Sequence, residues 1–261
     1  MAILERHDTN AIAHLKMNAP YRLNALSDEM LAALQHALDD LRDDTSVRAV
    51  ILSGTGKAFC AGHDLKQMTN GRQAEDGGKA YFKDLFDRCA AMMMSVRAVP
   101  QPVIAQVHGI ATAAGCQLVA SCDLAVAAEG TRFGVNGVNI GLFCSTPMVA
   151  LSRNIPTKHA FEMLTTGEFI DADRAMALGL VNRVVPETEL AAQTQALAET
   201  IAAKLATAVK IGKAAYYRQM EMPLAQAYAY TGGVMVENMM DKDTEEGIEA
   251  FLGKRPPNWK Q

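Results

Sequence analysis

Apolar residues follow two different patterns along the front half of the chain. Short apolar runs are typical of buried strands, and they occupy residues 11–17, 48–54, 103–107 and 123–128. Between these runs, apolar residues recur every three or four positions, which predicts helices that bury one face. The clearest case follows Ser27, a favourable N-cap residue, and consists of Met30, Leu31, Leu34, Leu38 and Leu41. Strands and helices alternate, so we predict an α/β fold.

The rear of the chain has a different pattern. From about Thr157 strand-type runs nearly vanish, and long helical stretches cover roughly 187–219 and 223–252. We therefore predict an α/β core at residues 1–195 and an all-helical C-terminal region at residues 196–261. The apolar faces of the rear helices need a partner, either the core or another subunit.

Composition excludes several classes of function. The 25 Lys+Arg against 29 Asp+Glu residues give a net charge of −4, and aromatic residues make up only 6%. We therefore expect no nucleic-acid partner. No apolar run approaches the ~20 residues of a membrane span. The five cysteines are odd in number and form no C-x-x-C, so we expect reduced thiols and no metal site. With no secretory signal visible, the default expectation is a cytoplasmic protein.

Common nucleotide motifs are missing or incomplete. The segment 53–58 resembles a phosphate-binding loop, but Ile51 stands where the first glycine is needed and Ala58 offers no hydroxyl to magnesium. No G-x-G-x-x-G follows a strand, which disfavours a nicotinamide dehydrogenase.

Two similar joints stand out instead. Each is a buried strand followed by a turn rich in small residues and a predicted helix start, and they occupy residues 59–65 and 108–116. Small residues let a backbone approach a ligand closely, and a helix N-terminus offers unpaired N–H groups to a negative oxygen. If the two turns face each other, they form an oxyanion hole for a thioester carbonyl.

These segments resemble the crotonase, or enoyl-CoA hydratase/isomerase, superfamily along nearly the whole chain. The resemblance rests on PYRLNAL at 20–26, KAFCAGHDLKQM at 57–68, PVIAQVHGIATAAGCQLVASCD at 102–123 and FGVNGVNIG at 133–141. Within that superfamily, ATAAGCQLVASCD at 111–123 and GLFCSTP at 141–147 are most similar to the branch of enoyl-CoA hydratase domain-containing proteins. The resemblance implies a spiral of ββα units followed by a helical trimerisation region, assembled as a homotrimer or hexamer. It also implies a place in fatty acid metabolism.

The resemblance also implies roles for individual residues. The oxyanion donors are expected to be the backbone N–H groups of His63 and Ala114. Coenzyme A enters as part of an acyl-CoA thioester substrate, with no separate cofactor. The residues expected to bind that substrate are Arg22, Ala61, Asp64, Leu65, Cys144, Ser145, Phe251 and Lys254, the last two possibly from a neighbouring subunit.

The chain departs from its family where hydratases carry two glutamates around one water. One glutamate position is Gln117 and the other is Gly137. Neither residue exchanges a proton near neutral pH. General acid–base groups contribute roughly 10²–10⁴-fold each, so we expect weak or absent hydration of crotonyl-CoA.

Three replacements for the missing acids are considered. A bicarbonate ion bound beside Gly137 would resemble the naphthoate synthases of the superfamily. Cys144 would act as a base only with a lowered pKa, and an inert buried thiol is the favoured interpretation. His63 and His108 would titrate in a useful range, but structural roles are favoured for both.

Two functions follow. The first is a lyase or isomerase of this family that acts on acyl-CoA thioesters by stabilising an enolate in the oxyanion hole. The alternative is a catalytically depleted acyl-CoA-binding protein that regulates or sequesters its ligand. Turnover on a panel of thioesters separates them.

Overall fold

The computed structural model describes residues 2–260. In this range the strands are β1 Leu4–Thr9, β2 Ile12–Met17, β3 Ala49–Gly54, β4 Val103–Val107, β5 Ile110–Thr112, β6 Leu124–Ala128, β7 Arg132–Gly134, β8 Ile170–Asp171 and β9 Arg183–Val185. The helices are α1 Asp28–Asp43, α2 Leu65–Gly71, α3 Lys79–Ala98, α4 Ala114–Ser121, α5 Pro147–Leu151, α6 Thr157–Thr166, α7 Ala172–Leu178, α8 Leu190–Ala202, α9 Ala206–Gln219, α10 Leu224–Met239 and α11 Lys242–Leu252.

The strands form two sheets. The larger has the order β1-β2-β3-β4-β6-β9 and the smaller has the order β5-β7-β8. The chain passes from β4 to β5 and then α4, and from β6 to β7 and then further helices, so that each unit gives one strand to each sheet. From β2 to β9 the larger sheet is parallel. The predicted α/β architecture with repeated ββα units and an all-helical rear is confirmed.

Side chains on the larger sheet alternate between two cores, as the period of a strand requires. On β3, Val50 and Leu52 face the main core, whereas Ala49 and Ile51 face the second core. Helices α1 and α3 cover the main core, and Leu190 and Ala198 of α8 close the second. Both faces of the parallel strands are therefore buried, which explains their continuous apolar runs.

Five strands escaped the sequence prediction, namely β1, β5, β7, β8 and β9. Strand β1 is polar and exposed along most of its length, and it pairs only with β2 through a turn in which Asn10 and Ala11 both have positive φ. Strand β9 is three residues long and pairs with β6 at the opposite edge of the sheet. The strand pattern nearly vanishes after Thr157 because β8 and β9 are edge strands of two and three residues, which carry too few buried residues to show a period.

The predicted boundary between residues 195 and 196 lies inside α8. This helix packs on the larger sheet through Leu190 and Ala198, so it belongs physically to the α/β body. The helices that extend beyond the body begin with α9 at Ala206. Their role in oligomerisation remains a prediction.

A buried ionic cluster fastens α9 to the body. Lys213 is 9% exposed, and its ammonium donates to Asp123 (Nζ···Oδ2 2.7 Å) and to the carbonyl oxygens of Val96 and Gln101. The other oxygen of Asp123 accepts a hydrogen bond from the Tyr217 hydroxyl at 2.7 Å. Burial lowers the pKa of Lys213, and the Asp123 carboxylate opposes that shift. Each polar group of the cluster therefore depends on the others for its hydrogen bonds.

The turn that enters α4 is strained. Ala113 has φ +50° and ψ −120°, a conformation that disfavours residues with a Cβ. Helix α4 begins at Ala114, two residues before its predicted start. The unusual dihedrals thus fall on Ala113, while Ala114 is already helical.

Replacing Lys213 with methionine should lower the free energy of unfolding by about 3–5 kcal/mol, because Asp123 then stays buried without its cation. Urea unfolding followed by circular dichroism measures the change. Lys210→Met is the matched control, since Lys210 lies exposed on the same helix. Equal losses in both variants would contradict the importance of the buried pair.

Ala113→Gly should raise the free energy of unfolding by about 1 kcal/mol, because relief of the positive φ outweighs the entropy that glycine adds to the unfolded chain. Ala114→Gly should have the opposite sign, since Ala114 has helical dihedrals. Thermal and urea unfolding of the two variants provide the comparison. A loss of stability in Ala113→Gly would show that the backbone at this turn is unstrained.

Candidate active site

The two small-residue turns meet at the carboxyl ends of β3 and β4. Cys60 and Ala111 form an isolated parallel bridge between them. The amide of Thr112 donates to the Cys60 carbonyl (N···O 3.0 Å), and the amide of Cys60 donates to the Ile110 carbonyl (3.2 Å). Backbone hydrogen bonds thus hold the first turn beside the second, as the oxyanion-hole prediction requires.

Two glycines allow this approach. A Cβ on Gly62, where φ is +89°, would lie 3.0 Å from the Ala113 Cβ and 3.3 Å from the Ala114 amide nitrogen. A Cβ on Gly115 would lie 2.1 Å from the Cys60 carbonyl oxygen. Any side chain at either position would push the turns apart, so the glycines are a steric requirement of the site.

Two backbone amides remain unused where the turns meet. Ala114 is the first residue of α4, where an amide has no acceptor within its own helix. His63 precedes Asp64, whose side chain caps α2 by accepting from the amides of Lys66 and Gln67. Within residues 2–260, neither the His63 nor the Ala114 amide donates to another backbone carbonyl. The pair is therefore available to a ligand oxygen.

A cavity of about 370 Å³ lies beside these amides. It brings together seven of the predicted site residues, namely Ala61, His63, Leu65, Ala114, Gly137, Cys144 and Ser145. The prediction missed most of the apolar wall, formed by Met68, Phe86, Ile140, Leu142, Phe143 and Pro147. It also missed the polar side chains of Thr112, Asn136, Asn139 and Thr146. Asn136 and Asn139 lie within two positions of Gly137, and this proximity is the signal in the sequence that could have indicated them.

Five predicted site residues do not line this cavity. Arg22 and Asp64 form an ion pair (Nη1···Oδ2 3.3 Å), and Asp64 also caps α2. Phe251 and Lys254 belong to the end of α11 and the residues after it, and both side chains are exposed. Gln117 is 5% exposed within α4, and its Oε1 has no hydrogen-bond partner. Within one chain, Phe251 and Lys254 are not brought to the predicted pocket.

No carboxylate, ammonium or guanidinium group lines the cavity among the described residues. Its titratable side chains are His63 and Cys144. Burial lowers the pKa of His63, whose ring packs against Phe86 with centroids 5.7 Å apart. Both ring nitrogens are buried, and the backbone of Leu26 opposes only part of the shift in the His63 pKa. The imidazole is therefore held neutral.

Cys144 does not provide a base. Its Sγ accepts a hydrogen bond from the Gly137 amide (3.3 Å), and burial raises the pKa of the thiol. A thiol with a raised pKa stays protonated at neutral pH. His108 lies outside the cavity lining, and its Nε2 contacts the Gly56 carbonyl oxygen at 3.0 Å. Structural roles for Cys144 and His108 agree with these contacts.

The space around Gly137 is closed on its side-chain face. A Cβ there would lie 2.3 Å from the Leu142 carbonyl oxygen and 2.9 Å from the Cys144 Sγ. A carbonyl oxygen and a protonated thiol are poor neighbours for an anion. These residues do not fit a bicarbonate ion on this face of Gly137.

A larger cavity of about 460 Å³ lies at the opposite, amino-terminal ends of the strands. Arg48 and Gln101 line it, together with the start of α9. It shares no lining residue with the cavity beside His63, so its greater size does not make it the site of thioester chemistry.

Residues 2–260 contain neither a helix able to span a membrane nor a cluster able to hold a metal ion. No helix in this range combines the length and the apolarity that crossing a membrane demands. No group of three His, Cys, Asp or Glu side chains in the same range is placed to hold a metal ion.

Comparison with known proteins corrects the expected location. The chain is 46% identical to enoyl-CoA hydratase domain-containing protein 3, mitochondrial, from Xenopus laevis over 250 residues, covering 96% of this chain and 83% of the relative. The human protein of that name is also 46% identical and also named mitochondrial. These names contradict the cytoplasmic prediction, which rested only on the lack of a visible signal in the sequence. Such a lack carries no physical information about compartment.

Solved structures and a family model agree on the relationship. An enoyl-CoA hydratase from Mycobacterium smegmatis is 53% identical, with a TM-score of 0.95 and 99% of each chain covered. Human enoyl-CoA hydratase domain-containing protein 3 is 44% identical, with a TM-score of 0.94, covering 98% of this chain and 100% of that chain. The model of the enoyl-CoA hydratase/isomerase family matches residues 7–261. The chain therefore belongs to the crotonase superfamily, as a member of the enoyl-CoA hydratase/isomerase family.

Proposed function

We propose that this protein binds acyl-CoA thioesters in the cavity beside His63 and Ala114 and stabilises an enolate there, while hydrating enoyl-CoA poorly. The observation that carries this proposal is a cavity with two unused backbone amides and no carboxylate in its lining. The amides suit a thioester oxygen on which negative charge develops. Without a carboxylate, no residue of the lining is equipped to activate water.

The amides of His63 and Ala114 would hold the thioester oxygen from two directions. The N-terminal end of α4 adds a positive partial charge at the same point. Apolar side chains such as Phe86 and Leu142 surround the acyl group and keep water away. Low polarity around the oxyanion strengthens its hydrogen bonds, so the site favours the enolate form over the neutral thioester.

Proton transfer is the weak part of this site. Gln117 stands at one glutamate position and Gly137 at the other. Losing two acid–base groups removes roughly 10²–10⁴-fold each, whereas losing one oxyanion donor removes about 10²–10³-fold. A binding site with an intact oxyanion hole and no proton carrier is therefore expected to hold substrate far better than it turns substrate over.

The alternative function is an acyl-CoA-binding protein without turnover. The neutral lining of the cavity favours it, because His63 and Cys144 both have pKa values shifted by burial toward their uncharged forms. Arg22, Asp64 and Leu65 remain proposed contacts for coenzyme A, since they lie around the start of α2 at the edge of the cavity.

Self-association is part of the proposal. Helices α9 to α11 expose large apolar side chains, including Tyr216, Met220, Leu224, Tyr228, Met235, Val236, Met239, Phe251 and Leu252. An apolar surface of this extent is typical of a subunit interface. A homotrimer or hexamer would cover it, and a neighbouring subunit could then bring Phe251 and Lys254 to the ligand.

Hydration of crotonyl-CoA should be at least ~10²-fold slower than the ~10 s⁻¹ of an average enzyme. The loss of absorbance of the enoyl thioester measures it, and calorimetry with butyryl-CoA measures binding in parallel. Binding without hydration is the expected result. Turnover near ~10 s⁻¹ would refute the claim that the acids are needed, and no binding of any acyl-CoA would refute the proposed function.

Gln117→Glu supplies one acid in a side chain of nearly the same shape and should raise the hydration rate. Gly137→Glu is not an equivalent test, because its Cβ would overlap the Leu142 carbonyl oxygen. Gln195→Glu makes the same chemical change on the exposed side of α8 and should leave the rate unchanged. Equal hydration rates in the native protein, Gln117→Glu and Gln195→Glu would mean that a carboxylate at position 117 cannot reach the substrate.

Ala114→Pro should weaken the hold on the thioester oxygen, because proline lacks the N–H yet is tolerated at the first position of a helix. Infrared spectra of bound acyl-CoA with a ¹³C-labelled thioester carbonyl report the polarisation of that bond. The carbonyl stretch should shift to lower frequency in the native protein and much less in the variant. Ala114→Ser, which keeps the N–H, should retain the shift, and an equal shift in all three proteins would contradict the assigned donor.

A further inference from the structure

The cavity has a polar edge next to the oxyanion amides. Thr112 ends β5, two residues before Ala114, and Asn136 begins a short 3-10 helix at Asn136–Ile140. Both side chains line the cavity. The Thr112 hydroxyl donates to the Asn136 carboxamide oxygen with an Oγ1···Oδ1 distance of 2.6 Å. Two elements from different parts of the chain thus fix one amide group at the ligand.

The hydrogen bond from Thr112 leaves one end of the Asn136 amide unused. Oδ1 is occupied by the hydroxyl, while Nδ2 donates to no residue within 2–260. An amide nitrogen carries two donor hydrogens, and a half-buried donor gains from an acceptor. Asn139, by contrast, donates from Nδ2 to the Gly167 carbonyl oxygen at 3.2 Å. Asn136 is therefore the asparagine of this pair whose Nδ2 keeps both donor hydrogens for a ligand, whereas Asn139 has already used one.

The position of Thr112 places this donor close to the thioester. A Cβ on Gly62 would lie 3.1 Å from the Thr112 carbonyl oxygen and 3.3 Å from the Ala114 amide nitrogen. The Thr112 backbone is thus adjacent to the proposed oxyanion hole. A group held by Asn136 would therefore lie beside a thioester bound in the same cavity.

The neutral lining restricts which group that can be. No cation lines the cavity to balance a carboxylate on the acyl chain, and burying an unpaired charge is strongly unfavourable. A keto oxygen accepts hydrogen bonds without carrying charge and suits a single neutral donor.

We propose that Asn136 is a specificity-determining residue that selects 3-oxoacyl thioesters of coenzyme A. Its Nδ2 donates to the 3-oxo oxygen while the His63 and Ala114 amides hold the thioester oxygen. Thr112 is a positioning residue that fixes the amide so that its nitrogen, and not its oxygen, faces the ligand. This inference rests on the proposed function, because it assumes that an acyl-CoA occupies the cavity.

The test compares two ligands that differ in one oxygen, 3-oxohexanoyl-CoA and hexanoyl-CoA. Calorimetry with the full-length protein gives both dissociation constants. A hydrogen bond in a partly buried site corresponds to about 10-fold in affinity, so the native protein should bind the 3-oxo ligand about 10-fold more tightly. Asn136→Leu should abolish this preference while retaining the affinity for hexanoyl-CoA.

Two further variants separate specificity from folding. Thr112→Val releases the amide and should reduce the preference, whereas Thr200→Val makes the same change on the exposed side of α8, outside the cavity lining, and should leave it unchanged. If Asn136→Leu no longer binds hexanoyl-CoA, the preference of Thr112→Val for the 3-oxo ligand over hexanoyl-CoA decides whether the Asn136 amide sets the specificity.

Failure of the inference can be told apart from failure of the proposed function. Equal binding of the two ligands by the native protein, or an unchanged preference in Asn136→Leu or Thr112→Val, would overturn the role of Asn136 and leave acyl-CoA binding intact. Binding of neither ligand would overturn both.

Discussion

Contact between two backbone turns is the constraint on which the rest of this site depends. The bridge between Cys60 and Ala111 joins the turn that follows β3 to β5, which follows β4, and Gly62 and Gly115 leave no side chain between the turns. Parallel strands end at the same edge of a sheet, so their following loops naturally lie together. Here the two loops bring the amides of His63 and Ala114 to one cavity, and within residues 2–260 neither amide donates to a backbone carbonyl. The proposed oxyanion hole and the proposed role of Asn136 both depend on how this contact positions the two turns.

The cavity combines strong binding features with weak proton chemistry. Burial shifts the pKa values of His63 and Cys144 toward their neutral forms, and Gly137 has no space for a side chain. A catalytic carboxylate would have to be buried at a site whose neighbours are a thiol, a carbonyl oxygen and apolar groups. Such an environment raises the free energy of any isolated charge. The loss of the acids is therefore consistent with the surroundings as well as with the residue types.

Much of the fold could be predicted, because buried parallel strands and capped helices leave strong patterns. Ser27 does cap α1, as its sequence context predicts. Sequence reasoning failed where the pattern was too short or where geometry decided the outcome. Strand β9 is an edge of three residues, and the strained dihedrals fell on Ala113, one residue away from the position that the family resemblance emphasised.

The site could be predicted where sequence motifs mark its residues, but not where a contact between distant residues gives a residue its role. His63, Ala114 and Gly137 follow from motif order along the chain, and the structure places all three at one cavity. Asn136 could not be chosen from sequence, since its importance comes from a hydrogen bond to Thr112, which lies 24 positions away. Phe251 and Lys254 do not line the cavity within one chain, so their proposed role depends on the proposed assembly.

The buried cluster of Lys213, Asp123 and Tyr217 has a consequence for cooperativity. Asp123 also accepts a hydrogen bond from the amide of Val103 at the start of β4. One carboxylate therefore connects β4 of the larger sheet to α9. Separating α9 from the sheet would leave opposite charges without partners on both sides. The helical rear is therefore not an autonomous module that can be cut off or exchanged. Opening of α9 and opening of β4 are expected to be one cooperative event.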